Sequence, residues 1–402
     1  MKVLIIGGVA AGTKTAAKLK REDRSAEVTV ITKDQDISYA GCGLPYYVGG
    51  LIGSRDELIV NTPQKYSGLT GVEVRTGKEA VALDAEKKAV TVRDTVTGAE
   101  EVCPYDKLVI AVGASPAELP IEGKELPGVF KMRTPDDAEG IRTYADANNV
   151  KKAVVIGAGF IGLEAAENLQ AKGINVTVID FAPQILPNIL DPEMAAYAKK
   201  HLINAGIRVL TGTSAQQVLG TDRVTGVKTS AGTLPCELLV MAAGIRPNTD
   251  FLKDTGIEMF KGTILVDKTM KTSLDDVYAA GDCVMVTNRI TGARQWSPMG
   301  SSANMEGRTL AQVLTGAQKT YPGVLGTGVV KLPGLNIGRT GLTEDQAKEA
   351  GYDVVTVLAP TDDKAHYYPD ASFFITKLIA DRTTRKLLGV QVFGPGAVDK
   401  MV

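Results

Sequence analysis

Cys42 sits between Gly41 and Gly43, and Pro45 follows three positions later. Proline at that point can set the first turn of a helix. A thiol at a helix N-terminus feels the positive end of the dipole, which favours the thiolate, the form that attacks sulfur. The flanking glycines allow a flat partner to approach the backbone. No second cysteine lies in the next several residues, so a local cysteine pair is impossible, and a redox role needs a sulfur partner from outside the chain. On these residues alone, a packed, inert cysteine in a glycine-rich turn is equally admissible. The other cysteines, Cys103, Cys236 and Cys283, are far apart, and His201 and His366 are the two histidines. These residues lack metal-ligand spacing, so no metal site is expected. Such cysteine usage fits a reducing cytoplasm.

Two glycine-rich turns offer a second chemistry, the cradling of phosphate. Residues 2–6 read as a buried strand and Gly7-Gly8-Val9-Ala10-Ala11-Gly12 as a turn. A helix over 13–22 and a strand over 27–31 follow. This is a dinucleotide-binding βαβ unit with the pyrophosphate expected at the helix N-terminus. Its middle glycine is Val9, and Thr32 stands where an acid would hold a ribose hydroxyl. The second copy is complete. A strand over 152–156 leads into Gly157, Gly159 and Gly162, then a helix over 163–172 and a strand over 175–179 ending at Asp180. No arginine at 181 or 182 is present to take a 2′-phosphate, so NADH is favoured, with NADPH possible.

Elements must position these turns. Lys14, Lys18 and Arg21 line one face of the first helix, with Lys20 and Arg24 nearby. A solvated basic face and a dock for a polyanion both fit. Apolar strands run into Gly113 and Gly244, each with a proline soon after, and read as crossings between two domains. A short strand delivers Gly281 and Asp282 to the head of a helix, where the acid can bind a polyol. A helix over 298–314 carries Asn304 and Arg308. From about 322 the pattern becomes antiparallel α+β, with one helix near 343–350 and a His366-Tyr367-Tyr368-Pro369 loop.

The 402 residues suggest two or three domains. With 45 basic and 46 acidic residues there is no global pull toward nucleic acid or membrane. No apolar run reaches membrane-span length. The signal-peptide-like start reads as a strand and glycine turn, because the same pattern recurs deep in the chain.

Together these features resemble the flavin-dependent pyridine nucleotide–disulfide oxidoreductases. The Ser38-Tyr-Ala-Gly-Cys42-Gly-Leu-Pro-Tyr-Tyr stretch is similar to the single-cysteine branch, the coenzyme A disulfide and NADH-dependent persulfide or polysulfide reductases. In the two-cysteine branch a second cysteine would stand at Tyr47. The resemblance implies two Rossmann-like α/β domains and a C-terminal α+β dimerisation domain. The FAD domain is split over 1–148 and 245–320, the NAD(P)H domain is inserted at 149–244, and dimerisation falls to 321–402. It implies FAD at Gly7, Gly8, Val9, Ala10, Gly12, Thr32, Lys33, Val81, Ala111, Gly113, Gly281 and Asp282. NADH falls to Gly157, Gly159, Gly162 and Asp180, with Glu164 beside the flavin. Coenzyme A falls to Lys14, Lys18, Arg21, Ser38, Cys42 and Asn304. Tyr367 is implied as a catalytic acid reaching the partner subunit's Cys42 in a homodimer. The family's glutamate is Thr32 here, an often basic position is Thr70, and the sequence stops at Val402 where relatives continue, so a truncated chain is expected. The implied function is electron transfer from NAD(P)H through FAD to Cys42 and on to coenzyme A disulfide, its persulfide or polysulfide. One alternative is an NADH oxidase cycling Cys42 through a sulfenic acid. Peroxidases of the group carry a histidine where this chain has Ala10. A second alternative, outside enzymes, is an FAD-binding electron carrier or scaffold fragment.

Overall fold

In the computed structural model every residue except Ala397 is described. Among the described residues the helices are α1 (Ala10–Glu22), α2 (Leu44–Gly49), α3 (Pro63–Thr70), α4 (Pro135–Ala147), α5 (Phe160–Ala171), α6 (Pro192–Asn204), α7 (Gly300–Leu314), α8 (Glu344–Glu349) and α9 (Val398–Met401). Local chemistry sets several ends. Thr62, Thr134 and Thr343 cap α3, α4 and α8 through their side chains, the last two in capping boxes with Asp137 and Gln346. Helices α1 and α5 begin at residues 10 and 160, three residues earlier than the periodicity indicates. The glycine turn itself supplies their first turn.

Contacts group the chain into two units. The first holds Met1–Ala40, Asp56–Ser115 and Arg246–Val324; the second holds Gly41–Arg55, Pro116–Ile245 and Leu325–Val402. The first unit is built on a parallel sheet in the order Val277–Ala279, Lys107–Ile110, Lys2–Ile6, Glu27–Ile31, Glu73–Arg75. Its central strands are near-continuous apolar runs, as burial on both faces requires. An antiparallel meander, Lys78–Asp84, Ala89–Asp94 and Glu100–Pro104, follows. The outer two of these strands lack the clean alternation of buried and more exposed residues that Ala89–Asp94 shows over its first four positions.

The second unit repeats the plan. Its parallel sheet runs Arg208–Leu210, Asn175–Ile179, Lys152–Ile156, Leu238–Met241, Val129–Lys131. Its antiparallel meander is Ala215–Gly220, Val224–Thr229 and Gly232–Pro235. The same unit carries an antiparallel five-stranded sheet in the order Gly328–Leu332, Leu335–Gly341, Leu387–Gly394, Phe373–Asp381, Val354–Asp362. Lys377, 2% exposed, ties this sheet to the N-termini of α6 and α8. Its ammonium lies 2.8 Å from Asp191 and 2.9 Å from Glu344, and also pairs with Glu193. One expectation is corrected. Gly281 and Asp282 do not head a helix; the chain continues into the strand Val284–Thr287. The helix beside this turn is α7, whose Ala303 Cβ lies 3.8 Å from where a Gly281 Cβ would sit.

Candidate active site

In the first unit, Gly7 turns with φ +116°, and a Cβ there would lie 2.1 Å from the Ala111 carbonyl oxygen. A Cβ on Gly12 would lie 1.9 Å from the Gly7 carbonyl oxygen, so strand and helix are in backbone contact. No side chain caps α1 and no acid stands in its first turn, which leaves its N-terminal amides for an anion. Thr32 is 6% exposed, and its Cγ2 would be 3.1 Å from a Cβ on Gly8. Lys33 beside it is exposed. Ser38, in the left-handed region at φ +49°, donates its backbone N–H to the Gly8 carbonyl at 2.8 Å. Gly113 follows the Lys107–Ile110 strand, and its carbonyl accepts the Asn248 N–H at 3.0 Å. Val81 is at a bulge in the Lys78–Asp84 strand.

The Gly281–Asp282 turn is held from beneath. Glu306 on α7 accepts the Gly281 N–H at 2.6 Å, and Tyr321 donates to the same carboxyl. The Trp296 indole donates to the Asp282 carbonyl at 2.8 Å. Burial pushes the Glu306 carboxyl up to about 8, against the lowering pull of the Gly281 hydrogen bond. Sequence reasoning missed Glu306, because a single acid on an amphipathic helix looks like a surface residue.

Helix α1 also packs on α7 at Gly307, where a Cβ would meet the Ala11 carbonyl oxygen at 2.8 Å. This packing brings Arg308 toward the α1 cations: burial and then the charges of Arg308 and Arg21 lower the Lys14 ammonium. Lys18 instead pairs with Glu22. Around the helix a pocket of about 400 Å³ is lined by Ala17, Lys20, Arg21, Arg24, Leu69 and Thr70. Of Lys14, Lys18 and Arg21, Arg21 alone lines this pocket, which takes its other cations from Lys20 and Arg24. Asn304 donates to the Gly300 carbonyl at 2.9 Å.

The second unit carries the matching turn. A Cβ on Gly162 would lie 1.9 Å from the Gly157 carbonyl oxygen, whereas one on Gly159 would meet nothing within 4 Å. That open space in front of an uncapped α5 N-terminus is a cradle that any side chain at 159 would fill. Asp180 accepts the Ala158 N–H at 2.6 Å and the Ala182 N–H at 2.7 Å, which fixes its carboxylate at the strand end.

Cys42 lies in a short 3-10 turn, Gly41–Gly43, that runs directly into α2. Of the four cysteines it is exposed and the others are buried. Burial pushes Cys236 and Cys283 each up to about 12, so those thiols stay protonated at neutral pH. Four residues on, the Tyr46 hydroxyl donates to the Glu164 carboxylate at 3.1 Å. Burial pushes Glu164 up to about 7. Tyr367 is 75% exposed in the loop between the Val354–Asp362 and Phe373–Asp381 strands, stacked on Tyr368 at 5.3 Å. The residues read for FAD, and those for coenzyme A other than Cys42, fall in the first unit. Cys42, Glu164, Asp180 and Tyr367 fall in the second.

Two parallel sheets, each with an uncapped helix behind a glycine turn, define a protein built to hold two dinucleotides. Residues 1–303 match the pyridine nucleotide-disulphide oxidoreductase family, and 329–402 match the dimerisation domain of that family. The chain is 38% identical over 398 residues to the NAD(P)H coenzyme A polysulfide/persulfide reductase of Pyrococcus horikoshii, covering 98% of this chain and 87% of that one. It is 36% identical over 394 residues to an NADH oxidase of Methanocaldococcus jannaschii, covering 98% and 88%. A solved NAD-dependent persulfide reductase from A. fulgidus superposes with a TM-score of 0.96 at 38% identity, covering 100% of this chain and 75% of that one. The chain belongs to the pyridine nucleotide-disulphide oxidoreductases, enzymes that use FAD and NAD(P)H. No helix among the described residues is long and apolar enough to cross a membrane.

Proposed function

We propose that this chain is a cytoplasmic, homodimeric reductase of coenzyme A disulfide, coenzyme A persulfide or polysulfide, with Cys42 as its nucleophile. The observation that carries this reading is the exposure of Cys42 at the head of α2 while the other three cysteines are buried. The named relatives, and the cations Lys14, Arg21 and Arg308 gathered near one another on α1 and α7, support a polyanionic thiol ligand, with Lys14, Lys18, Arg21, Ser38 and Asn304 as its contacts and Arg308 added to them. The Cys42 thiolate attacks one sulfur of the substrate, forms a mixed disulfide and expels the other sulfur as a thiolate that takes a proton. Tyr367 supplies that proton across the dimer. When bound, NADH and FAD supply the electron pair that reopens the mixed disulfide. Gly7, Gly8, Val9, Ala10 and Gly12 face the FAD pyrophosphate, with Thr32, Lys33, Val81, Ala111, Gly113, Gly281 and Asp282 around the rest. Gly157, Gly159, Gly162 and Asp180 hold NADH in preference to NADPH, and Glu164 borders the flavin. In this scheme 1–148 with 245–320, 149–244 and 321–402 are the FAD, NADH and dimerisation domains.

Cys42→Ser tests the reading. NADH-dependent disulfide turnover falls to background, while NADH-driven reduction of a dye survives; intact disulfide turnover sinks the proposal. The second reading, an NADH oxidase, is favoured by the Methanocaldococcus relative. Mass spectrometry of unreduced protein separates the two: a coenzyme A adduct on Cys42 supports the reductase, and sulfenic or sulfinic acid there supports the oxidase.

A further inference from the structure

The segment 180–191 runs from the Asn175–Ile179 strand to α6 without a helix or strand of its own. Its first part is held on the second glycine turn. Asp180 accepts the Ala158 N–H at 2.6 Å, and the Leu186 N–H returns to the Ala158 carbonyl at 3.0 Å. Ala158 is buried between Gly157 and Gly159, so the segment grips the turn on both sides of the residue that precedes the open Gly159 cradle. Leu186 makes its bond from the left-handed region, at φ +48°, with its side chain buried. That conformation is unfavourable for a residue with a Cβ and persists where the surroundings impose it.

The last part of the segment is held by the C-terminal sheet of the same unit. Arg339, buried in the Leu335–Gly341 strand, donates to the Asn188 and Gly326 carbonyls, each at 3.0 Å. Gln391, in the Leu387–Gly394 strand, clasps Asp191 twice. It accepts the Asp191 N–H at 2.9 Å and donates to the Asp191 carboxylate at 2.8 Å. That carboxylate also takes the Lys377 ammonium at 2.8 Å and the Glu344 N–H at 2.9 Å. Asp191 and Gln391 are both buried, so a group that loses its partner here has no water to replace it. Between the two ends, Gln184 donates to the Leu190 carbonyl at 2.9 Å and closes the segment on itself.

We propose that Arg339 and Gln391 of the C-terminal sheet are positioning residues for NADH: through the 180–191 segment they fix Ala158, and with it the Asp180 carboxylate and the Gly159 cradle, in the arrangement that receives the nucleotide. The proposal rests on the reading of the second glycine turn as the NADH site. Every step from the sheet to the turn is a hydrogen bond or a few residues of chain: Arg339 to Asn188, Gln391 to Asp191, Leu186 to Ala158, Ala158 to Asp180. Released at Asn188 and Asp191, Leu186 leaves the left-handed region and its bond to Ala158 is lost. Nucleotide binding then has to restore that order, which weakens affinity. The loss falls on binding rather than on hydride transfer, because both residues act through the segment.

The test is NAD⁺ binding to the oxidised holoenzyme by calorimetry, with NADH-driven dye reduction beside it. Arg339→Met raises the NAD⁺ Kd about tenfold, and Gln391→Met raises it about threefold, because Lys377 and the Glu344 N–H still hold Asp191. In dye reduction both variants raise the NADH KM by similar factors, keep kcat within about twofold of wild type and retain FAD. Combined with Asp180→Asn, each loses less than the sum of the two single losses, because both changes act through Ala158. An unchanged NAD⁺ Kd in Gln391→Met, a fall in kcat at constant KM, or additive losses with Asp180→Asn overturns the linkage. Should Arg339→Met not fold, Gln391→Met decides alone. Asp180→Asn by itself tells this failure from a failure of the site reading: if it leaves NAD⁺ affinity unchanged, the second turn is not the NADH site. If it weakens NAD⁺ while Gln391→Met does not, the linkage alone is wrong.

Discussion

The two glycine turns share one backbone solution but anchor it with different acids. In both, the last glycine packs its Cα within contact of the first glycine's carbonyl, and the helix that follows has no side-chain cap. At 157–162 a strand-end acid, Asp180, grips the turn through the Ala158 N–H. At 7–12 the equivalent residue is neutral Thr32, and the buried acid of that unit is Glu306, which grips a different loop through the Gly281 N–H. Sterics therefore fix what both nucleotide sites must share, and the placement of charge is what the two sites are free to vary.

Breaking the shared part has the largest effect. Gly162→Val puts a Cβ 1.9 Å from a backbone oxygen, and the strand and helix have to separate. We expect a loss of about 3 kcal/mol or more and no NADH binding, measured by thermal unfolding and titration. Gly12→Val has the same geometry and loses FAD instead. Equal loss of both nucleotides in both variants removes the distinction between the two turns.

The buried acid of the first unit comes next. Glu306 has its folded pKa raised to about 8 from an ordinary 4.5. The folded state binds more protons than the unfolded one in that window, so stability falls as pH rises from about 4.5 to about 8 and levels beyond. Glu306→Gln still accepts the Gly281 N–H but does not titrate. Its melting temperature therefore gains on that of wild type as pH climbs through the window. Parallel melting curves at every pH show that Glu306 carries no such linkage.

Both βαβ units were legible because buried parallel strands are continuous apolar runs and the glycine spacing is imposed by backbone contact. The Cys42 turn was legible for the same local reason, with Pro45 opening α2. What could not be read depends on distance along the chain. Tyr46 and Glu164 are 118 residues apart, and Arg308 meets the α1 cations through the Gly307 contact. The Gly281–Asp282 turn misled because strand, glycine and acid also precede helices; here the next element is a strand, and the helix that serves the turn starts at residue 300.

Charge at the second turn has an intermediate effect. Asp180 uses both carboxylate oxygens as acceptors, for Ala158 and Ala182. Asp180→Asn must point an NH₂ at one of those N–H donors. NADH affinity falls about tenfold, while FAD retention is unchanged. A fall in FAD content in this variant contradicts the assignment of the second turn to NADH.

The smallest effect comes from installing at the first turn what the second already has. Thr32 follows the Glu27–Ile31 strand as Asp180 follows Asn175–Ile179, and Gly8 follows Gly7 as Ala158 follows Gly157. Thr32 is held by its backbone, with its N–H on Arg75 and its carbonyl on Lys78, so the side chain can change without disturbing the sheet. In Thr32→Asp the new carboxylate is placed to accept the Gly8 N–H and a ribose hydroxyl, gains opposed by the desolvation of a charge at a site 6% exposed. The two terms nearly balance, and FAD binding tightens by about threefold, with the gain lost as pH falls through the carboxylate range. Flavin fluorescence on dilution measures it. If binding weakens instead, burial outweighs the hydrogen bonds at the first turn, and its neutral residue is the better solution there.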